Sequence, residues 1–246
     1  VFTCICDFLY KKSTQTEFSM GTLVTFSLYG AQDDAFLQAS TLLSNIENAS
    51  SLTIYGSAAN QLNASGKTNN AFLLEQAQVC LDVFESSGGA FDFSIYPVSS
   101  LWAIGTDRAR VPENSELKDA LLLVDSSKIT LADGELSLSD NQKVDFGAIG
   151  KGYACDKLVQ VLSCHSRGGI VSVGGSIGVW GRSNLFKNSF DIAVRNPFSS
   201  DYAGILTLSE GFVSTSGDYE RYFEENGATA IDLHLSCLDN EYKTVA

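Results

Sequence analysis

Asp145, Gly147, Gly150, Lys151 and Gly152 lie close together in the stretch Lys143-Val-Asp-Phe-Gly-Ala-Ile-Gly-Lys-Gly-Tyr153. A carboxylate accepts hydrogen bonds or sits near a metal ion, and a lysine supplies a full positive charge. Glycines remove side chains from a turn, so backbone amides can approach a ligand closely. Val144 and Phe146 flank Asp145 as they would at the tip of a strand, with the acid turned out. Ala154, Leu158, Val161 and Leu162 recur at helical spacing, which predicts a helix over Tyr153 to Leu162. Its N-terminus would aim a partial positive charge at whatever sits over the turn. Carboxylate, glycines and lysine together point to an anionic ligand, with or without a cation. The pattern is neither G-x-G-x-x-G nor G-x-x-x-x-G-K-[ST]. The plainer alternative is a tight strand–helix turn carrying a solvated lysine.

The elements that must position this stretch are mixed α and β. Phe18 to Tyr29 alternates as one strand, with Val24, Phe26 and Leu28 on its apolar face and Met20-Gly21-Thr22 at its start. Helices are predicted over Asp34 to Ser50 and over Asn70 to Ser87, the second stopped by Gly88-Gly89. Gly56 to Lys67 reads as turn-rich, and Glu116 to Leu123 as a short helix capped at Asn114 or Ser115. Phe91, Phe93, Tyr96 and Trp102 crowd around Asp92 and Pro97, where a flat ring could pack; a hydrophobic plug is the alternative. Asp133-Gly134 predicts a hairpin, and Ile205–Leu208 and Gly211–Ser214 are expected to pair.

With 246 residues, 29 acidic against 16 basic, the chain carries a net charge of −13. Such a surface repels nucleic acid and anionic lipid, so neither is expected as a partner. A bound anion would need a lysine, a helix N-terminus or a divalent cation beside it. The six cysteines form no C-x-x-C pair and only two histidines are present, which argues against structural zinc. Cys80 and Cys155 are expected as small buried thiols on apolar helix faces. No apolar run is long enough to span a bilayer. Residues 1–16 read as a polar leader or linker, and Cys4 is the candidate lipidated residue of a lipoprotein cleavage site.

Seven stretches, taken in order, resemble the ApbE family of FAD:protein FMN transferases and FAD pyrophosphatases. They are Met20-Gly21-Thr22; Ser57 to Asn63; Gly89-Ala-Phe-Asp92 with Pro97 and Leu101-Trp102; Asp145 to Ala154 with Asp156; Val173-Gly-Gly-Ser176; Arg195-Asn-Pro197; and Thr215-Ser-Gly-Asp-Tyr219. The resemblance implies an α+β fold of the T-fold type, one domain over residues 17–246, with two lobes around an FAD cleft. It implies that Met20, Tyr55, Ala90, Phe91 and Asp92 line the flavin-nucleotide site, and that Asp145 and Lys151 contact FAD and carry the catalysis. Gly174-Gly175 and Thr215-Ser216-Gly217 would close around the nucleotide, and the Ala148 carbonyl would bind Mg2+. The implied reaction attacks the FMN-side phosphorus of FAD with a threonine hydroxyl of a target protein and releases AMP. The alternatives are hydrolysis to FMN and AMP, or FAD binding without turnover. A bacterial cell-envelope, extracytoplasmic location follows from the same resemblance, with any membrane attachment through a lipid on Cys4.

Two departures bear on turnover. The family's H-[IV]-[IL]-D-P-x-T-G segment has only Ile231-Asp232 as a counterpart, and its A-D-A-x-[ST]-T segment has no match before Ala246. The part after residue 227 therefore reads as divergent or truncated. Asp232, His234 and Asp239 are weak substitutes for the missing metal ligands. Ala58 stands where the family usually has Glu.

Overall fold

The stretch expected as a single strand is a hairpin. In the computed structural model, which describes residues 9–196, 199–215, 222–225 and 228–231, β1 (Lys12–Ser19) and β2 (Thr22–Tyr29) pair antiparallel. The turn is Met20-Gly21, and both residues have positive φ, 53° and 69°. That is the backbone of a two-residue type I′ turn. Side-chain alternation runs through Thr22 to Tyr29 as expected, and Val24, Phe26 and Leu28 are fully buried. From Lys12 onward, the residues read as a leader belong to β1. The helix α1 (Ala35–Ser50) follows, with Ala35, Ala39, Leu43 and Ile46 buried. Its Phe36 ring meets Phe26 edge-on at 6.5 Å, which places α1 against β2.

The segment expected as turns contains a helix, α2 (Ala58–Ser65), capped by the Ser57 hydroxyl, which accepts from Asn60 N. Gly66 ends it in the left-handed conformation. After the short β3 (Lys67–Thr68) comes α3 (Ala71–Ser86). Asn70 caps α3, and Gly88 and Gly89 stop it with positive φ, Gly89 N reaching back to Phe84 O at 2.8 Å. A 3-10 turn over Phe93–Ile95 leads into α4 (Tyr96–Trp102). The next helix, α5 (Asn114–Leu121), begins and ends two residues earlier than expected, so Asn114 and Ser115 lie inside it and neither caps it. Glu113 caps it in a reciprocal box with Glu116. β4 (Thr130–Ala132) and β5 (Glu135–Ser137) form the expected hairpin, with Asp133 and Gly134 at φ 52° and 75°. Strands β3, β5 and β4 make one small sheet in that order.

The glycine-rich stretch differs most from expectation. Residues 142–146 pair with no strand, and α6 (Gly147–His165) starts at the first glycine. Then β6 (Gly168–Val173), β7 (Ser176–Gly181), β8 (Phe190–Arg195), β9 (Tyr202–Leu208) and β10 (Gly211–Ser214) follow. The last described elements are β11 (Tyr222–Glu225) and β12 (Ala228–Ile231), an antiparallel pair. The expected pairing of Ile205–Leu208 with Gly211–Ser214 does not occur. β9 pairs with β8, and β10 pairs with β7.

The chain divides into two compact units, 1–47 with 151–216, and 48–150 with 217–246. The first is built on the antiparallel sheet β1-β2-β6-β7-β10. One face is covered by α1 and by α6, whose Val159 fills the space a side chain on Gly178 would need. The hairpin β8–β9 covers part of the other face, where Phe190 and Ile192 pack with Tyr29, Ile170, Ile177 and Val179. The core of the second unit gathers Leu62, Leu73, Ala77, Cys80, Phe93, Leu136, Val144 and Phe146. The Phe93 and Phe146 rings lie 5.7 Å apart, and burying each contributes roughly 2–3 kcal/mol. Cys80 and Cys155 are buried as expected, and Cys164 is exposed. No helix among the described residues is long and apolar enough to cross a membrane.

Candidate functional site

In the sheet unit, two hairpin tips share one end. Val24 is registered with Val173, so the Met20-Gly21 turn and the Gly174-Gly175 turn meet at that end. Gly174 has φ 59° and donates its amide to Leu23 O at 3.3 Å. A Cβ on Gly174 would lie 3.0 Å from Thr22 Oγ1 and 3.3 Å from Lys151 Cδ. The aliphatic stem of Lys151 thus runs over this turn from the second turn of α6. A Cβ on Gly175 would lie 2.5 Å from the carbonyl oxygen of Thr215. Thr215 in turn donates its amide (3.0 Å) and its hydroxyl (3.3 Å) to Gly175 O. Met20, Lys151, Gly174, Gly175 and Thr215 are therefore brought together: a cation, a bare backbone and a hydroxyl, which suit a phosphate. Gly174→Ala is expected to cost about 1–2 kcal/mol from the left-handed backbone alone, read as a shifted urea midpoint.

The Met20 turn is itself held. The Glu47 carboxylate, from the last turn of α1, accepts the Met20 amide at 2.7 Å and the Ser19 hydroxyl at 2.5 Å. Sequence reading missed Glu47, because nothing near it in the chain marks a contact 27 residues away.

In the second unit, Asp145 is half-buried just before α6. Its Oδ1 accepts the Gly147 amide at 2.8 Å, which starts the helix, and Ser99 Oγ donates to Oδ2 at 3.3 Å. Asn63 clamps the preceding residue: Val144 N donates to Oδ1 at 2.7 Å, and Nδ2 donates to Val144 O at 2.9 Å. The Asp145 amide donates to Phe93 O at 2.8 Å. Gly147 and Ala148 are exposed in the first turn, where helix amides lack internal partners.

Asp92 has a structural task. Its Oδ1 accepts from Ser94 N (2.8 Å), Ser94 Oγ (2.6 Å) and Ser126 Oγ (2.5 Å), and its Oδ2 from Ser126 N (3.0 Å). Ser94 and Ser126 are fully buried. Ala90 and Phe91 are half-buried beside it, and the Phe91 amide donates to Ser87 Oγ. Burial, then the charges of Asp145 and Asp92, push the Cys80 thiol far up, so it stays protonated. Tyr55 is fully exposed in a turn ending at Gly56. An open recess of about 410 Å³, lined by Pro97, Ser100, Leu123, Asn141 and Lys143, lies in the same unit.

Against known proteins, the model of the ApbE family matches residues 20–234. The chain belongs to the ApbE family. A protein of Treponema pallidum named FAD:protein FMN transferase is 32% identical over 248 aligned positions, covering 88% of this chain and 67% of that protein. One of Klebsiella pneumoniae with the same name is 31% identical over 144 positions, covering 56% of this chain and 43% of that protein. The ApbE protein of Thermotoga maritima superimposes with a TM-score of 0.82 at 24% identity, covering 90% of this chain and 75% of that one. The apo flavinyl transferase ApbE of Pseudomonas stutzeri gives 0.76 at 23% identity, covering 89% and 73%. The mixed α+β fold with several antiparallel sheets is thus that of solved ApbE structures.

Of the positions carried over from ApbE motifs, Ser216 and Gly217 lie outside the described residues, as do Cys4, Pro197, Asp232, His234 and Asp239. Among the described residues, no group of three His, Cys, Asp or Glu side chains could hold a metal ion. An oxygen-seeking ion such as Mg2+ often takes only one or two protein carboxylates, completing its shell with water and substrate phosphate. The Asp145 carboxylate and the Ala148 carbonyl fit that habit, since both are oxygen donors and a helix carbonyl keeps a second lone pair.

Proposed function

We propose that this ApbE-family chain is an FAD:protein FMN transferase: it binds FAD and moves FMN to a threonine of a target protein, releasing AMP. The observation that carries the reading is the gathering of Met20, Lys151, Gly174 and Gly175 at one sheet end. It occurs in a chain 32% identical over 88% of its length to a protein named FAD:protein FMN transferase. In the sheet unit, the Gly174-Gly175 backbone and the Lys151 ammonium would take the charge of the pyrophosphate, and Met20 and Thr215 would flank the nucleotide. In the second unit, Tyr55, Ala90 and Phe91 would contact the flavin-nucleotide and Asp145 the reacting phosphates. Asp92 would act by shaping the Ala90-Phe91 backbone.

Mg2+, held by Asp145 and the Ala148 carbonyl, would draw electron density from the anhydride. The acceptor hydroxyl forms a bond to the FMN-side phosphorus and gives up its proton to water. The anhydride bond breaks, and AMP leaves with the bridging oxygen. Lys151 and the α6 N-terminus stabilise charge that grows on the phosphate oxygens; most of the catalysis in phosphoryl transfer is of this kind. The proposal extends to an extracytoplasmic, envelope location with lipid on Cys4, which labelling of cells with a radioactive fatty acid would test.

One incubation tests the function: protein, FAD and Mg2+, with and without a target polypeptide, assayed for AMP and covalent flavin. AMP and covalent flavin only with the polypeptide is the expected result. AMP without it would make the protein a pyrophosphatase, and bound FAD with no AMP a carrier.

A further inference from the structure

Met20 sits at the first central position of a type I′ turn with φ 53°, a conformation that asparagine or glycine takes far more readily. Such strain in a non-glycine residue persists when its surroundings over-determine it, and it gathers at functional sites. Asparagine would serve the turn itself better, so the turn alone does not account for a methionine here. The surroundings that hold it are Glu47 and Ser19. In a two-residue hairpin turn the first central amide has no partner in the ladder. Here it meets Glu47 Oε1 at 2.7 Å, while Ser19, the buried residue before it, donates to Oε2 at 2.5 Å. Both oxygens of one carboxylate thus grip consecutive residues of the tip that adjoins Thr22, Gly174 and the Lys151 stem.

We propose that Glu47 is a positioning residue for FAD binding, fixing the Met20 turn so that the Met20 side chain is presented to the nucleotide. The inference rests on the function proposed above. It predicts a split between binding and chemistry: Glu47 touches the turn and not the reacting phosphorus, so its loss weakens FAD binding and leaves the chemical step alone.

The test uses the full chain as Glu47→Ala and Glu47→Gln. It measures the FAD Kd by flavin fluorescence, KM and kcat for AMP release, and hydrogen exchange at the Met20 amide. Glu47→Ala is expected to raise Kd and KM about tenfold with kcat within about threefold, and to speed Met20 amide exchange at least about tenfold. Glu47→Gln is expected to stay within about twofold of wild type, since its carbonyl can take the Met20 amide and its amide can donate to Ser19 Oγ. A folded Glu47→Ala protein with wild-type Kd would overturn the inference, even if less heat-stable, because a purely structural staple behaves that way. Equal Met20 exchange in both proteins would overturn it too. If wild-type protein binds no FAD, the proposed function falls, and the exchange result still decides whether Glu47 holds the turn.

Discussion

Asp145→Ala is expected to lower FAD turnover at least about a hundredfold, some 2.7 kcal/mol of barrier, in a protein that remains folded. Two effects must be separated. Oδ1 receives the Gly147 amide and so caps α6, and losing such a cap costs about 1 kcal/mol. The negative charge is a different matter: Ser99 donates to Oδ2 over a long 3.3 Å, which leaves that oxygen open to a cation beside a phosphate. Asp145→Asn distinguishes them, because the amide carbonyl still accepts from Gly147 while the charge is gone. Its urea midpoint should stay near wild type and its AMP release should fall as far as in Asp145→Ala. Wild-type turnover in Asp145→Asn would remove the charge from the mechanism and leave Asp145 as a helix cap.

The glycine stretch shows how much of the site was legible. Asp145, Gly147, Gly150 and Lys151 stood out by type and spacing, yet the local structure was misread. The three glycines read as a turn cleared of side chains, whereas glycine costs about 1 kcal/mol in a helix interior. The Asp145 cap and the bond from Gly150 N to Phe146 O, at 2.8 Å, begin the helix at the first glycine. Gly147, exposed in the first turn of α6, carries no side chain there. The consequence for a ligand is the same bare backbone, reached by another route. Met20-Gly21 was misread for a related reason. Alternation continues on both sides of the turn, and methionine is not a turn residue, so no local signal marks a reversal that Glu47 enforces from α1.

Contacts distant in the chain account for the rest. Asp92 lies in the aromatic stretch, and besides the nearby Ser94 its carboxylate binds Ser126, 34 residues on. The pairing of β9 with β8 rather than β10 is decided by which apolar faces find cover. Phe190 and Ile192 of β8 bury against the main sheet, and β10 extends that sheet at β7. Helix α2 was hidden by polar composition, although the Ser57 cap three residues ahead of Asn60 was a readable start signal.

Asn63, on that hidden helix, carries the second large expected effect. Its side chain mimics a strand partner for Val144, one bond in each direction, and 81 residues separate the two in the chain. Val144 is fully buried, so truncation would leave its amide and carbonyl without partners, each costing about 1–3 kcal/mol. Asn63→Ala is therefore expected to destabilise the protein by about 2–4 kcal/mol, an apparent Tm drop of about 10 °C. Because Val144 is the residue before Asp145, FAD turnover in the fraction still folded should fall as well, about tenfold. Asn63→Asp makes the test sharper. Its carboxylate still accepts from Val144 N, but opposite Val144 O it offers an acceptor where a donor is needed. It should thus be about as unstable as Asn63→Ala at neutral pH and recover part of the loss as the pH falls through the carboxylate range, because the protonated acid can donate again. Wild-type stability of Asn63→Asp at neutral pH would mean that the bond to Val144 O contributes little and that the Val144 amide bond alone holds Asp145 in place.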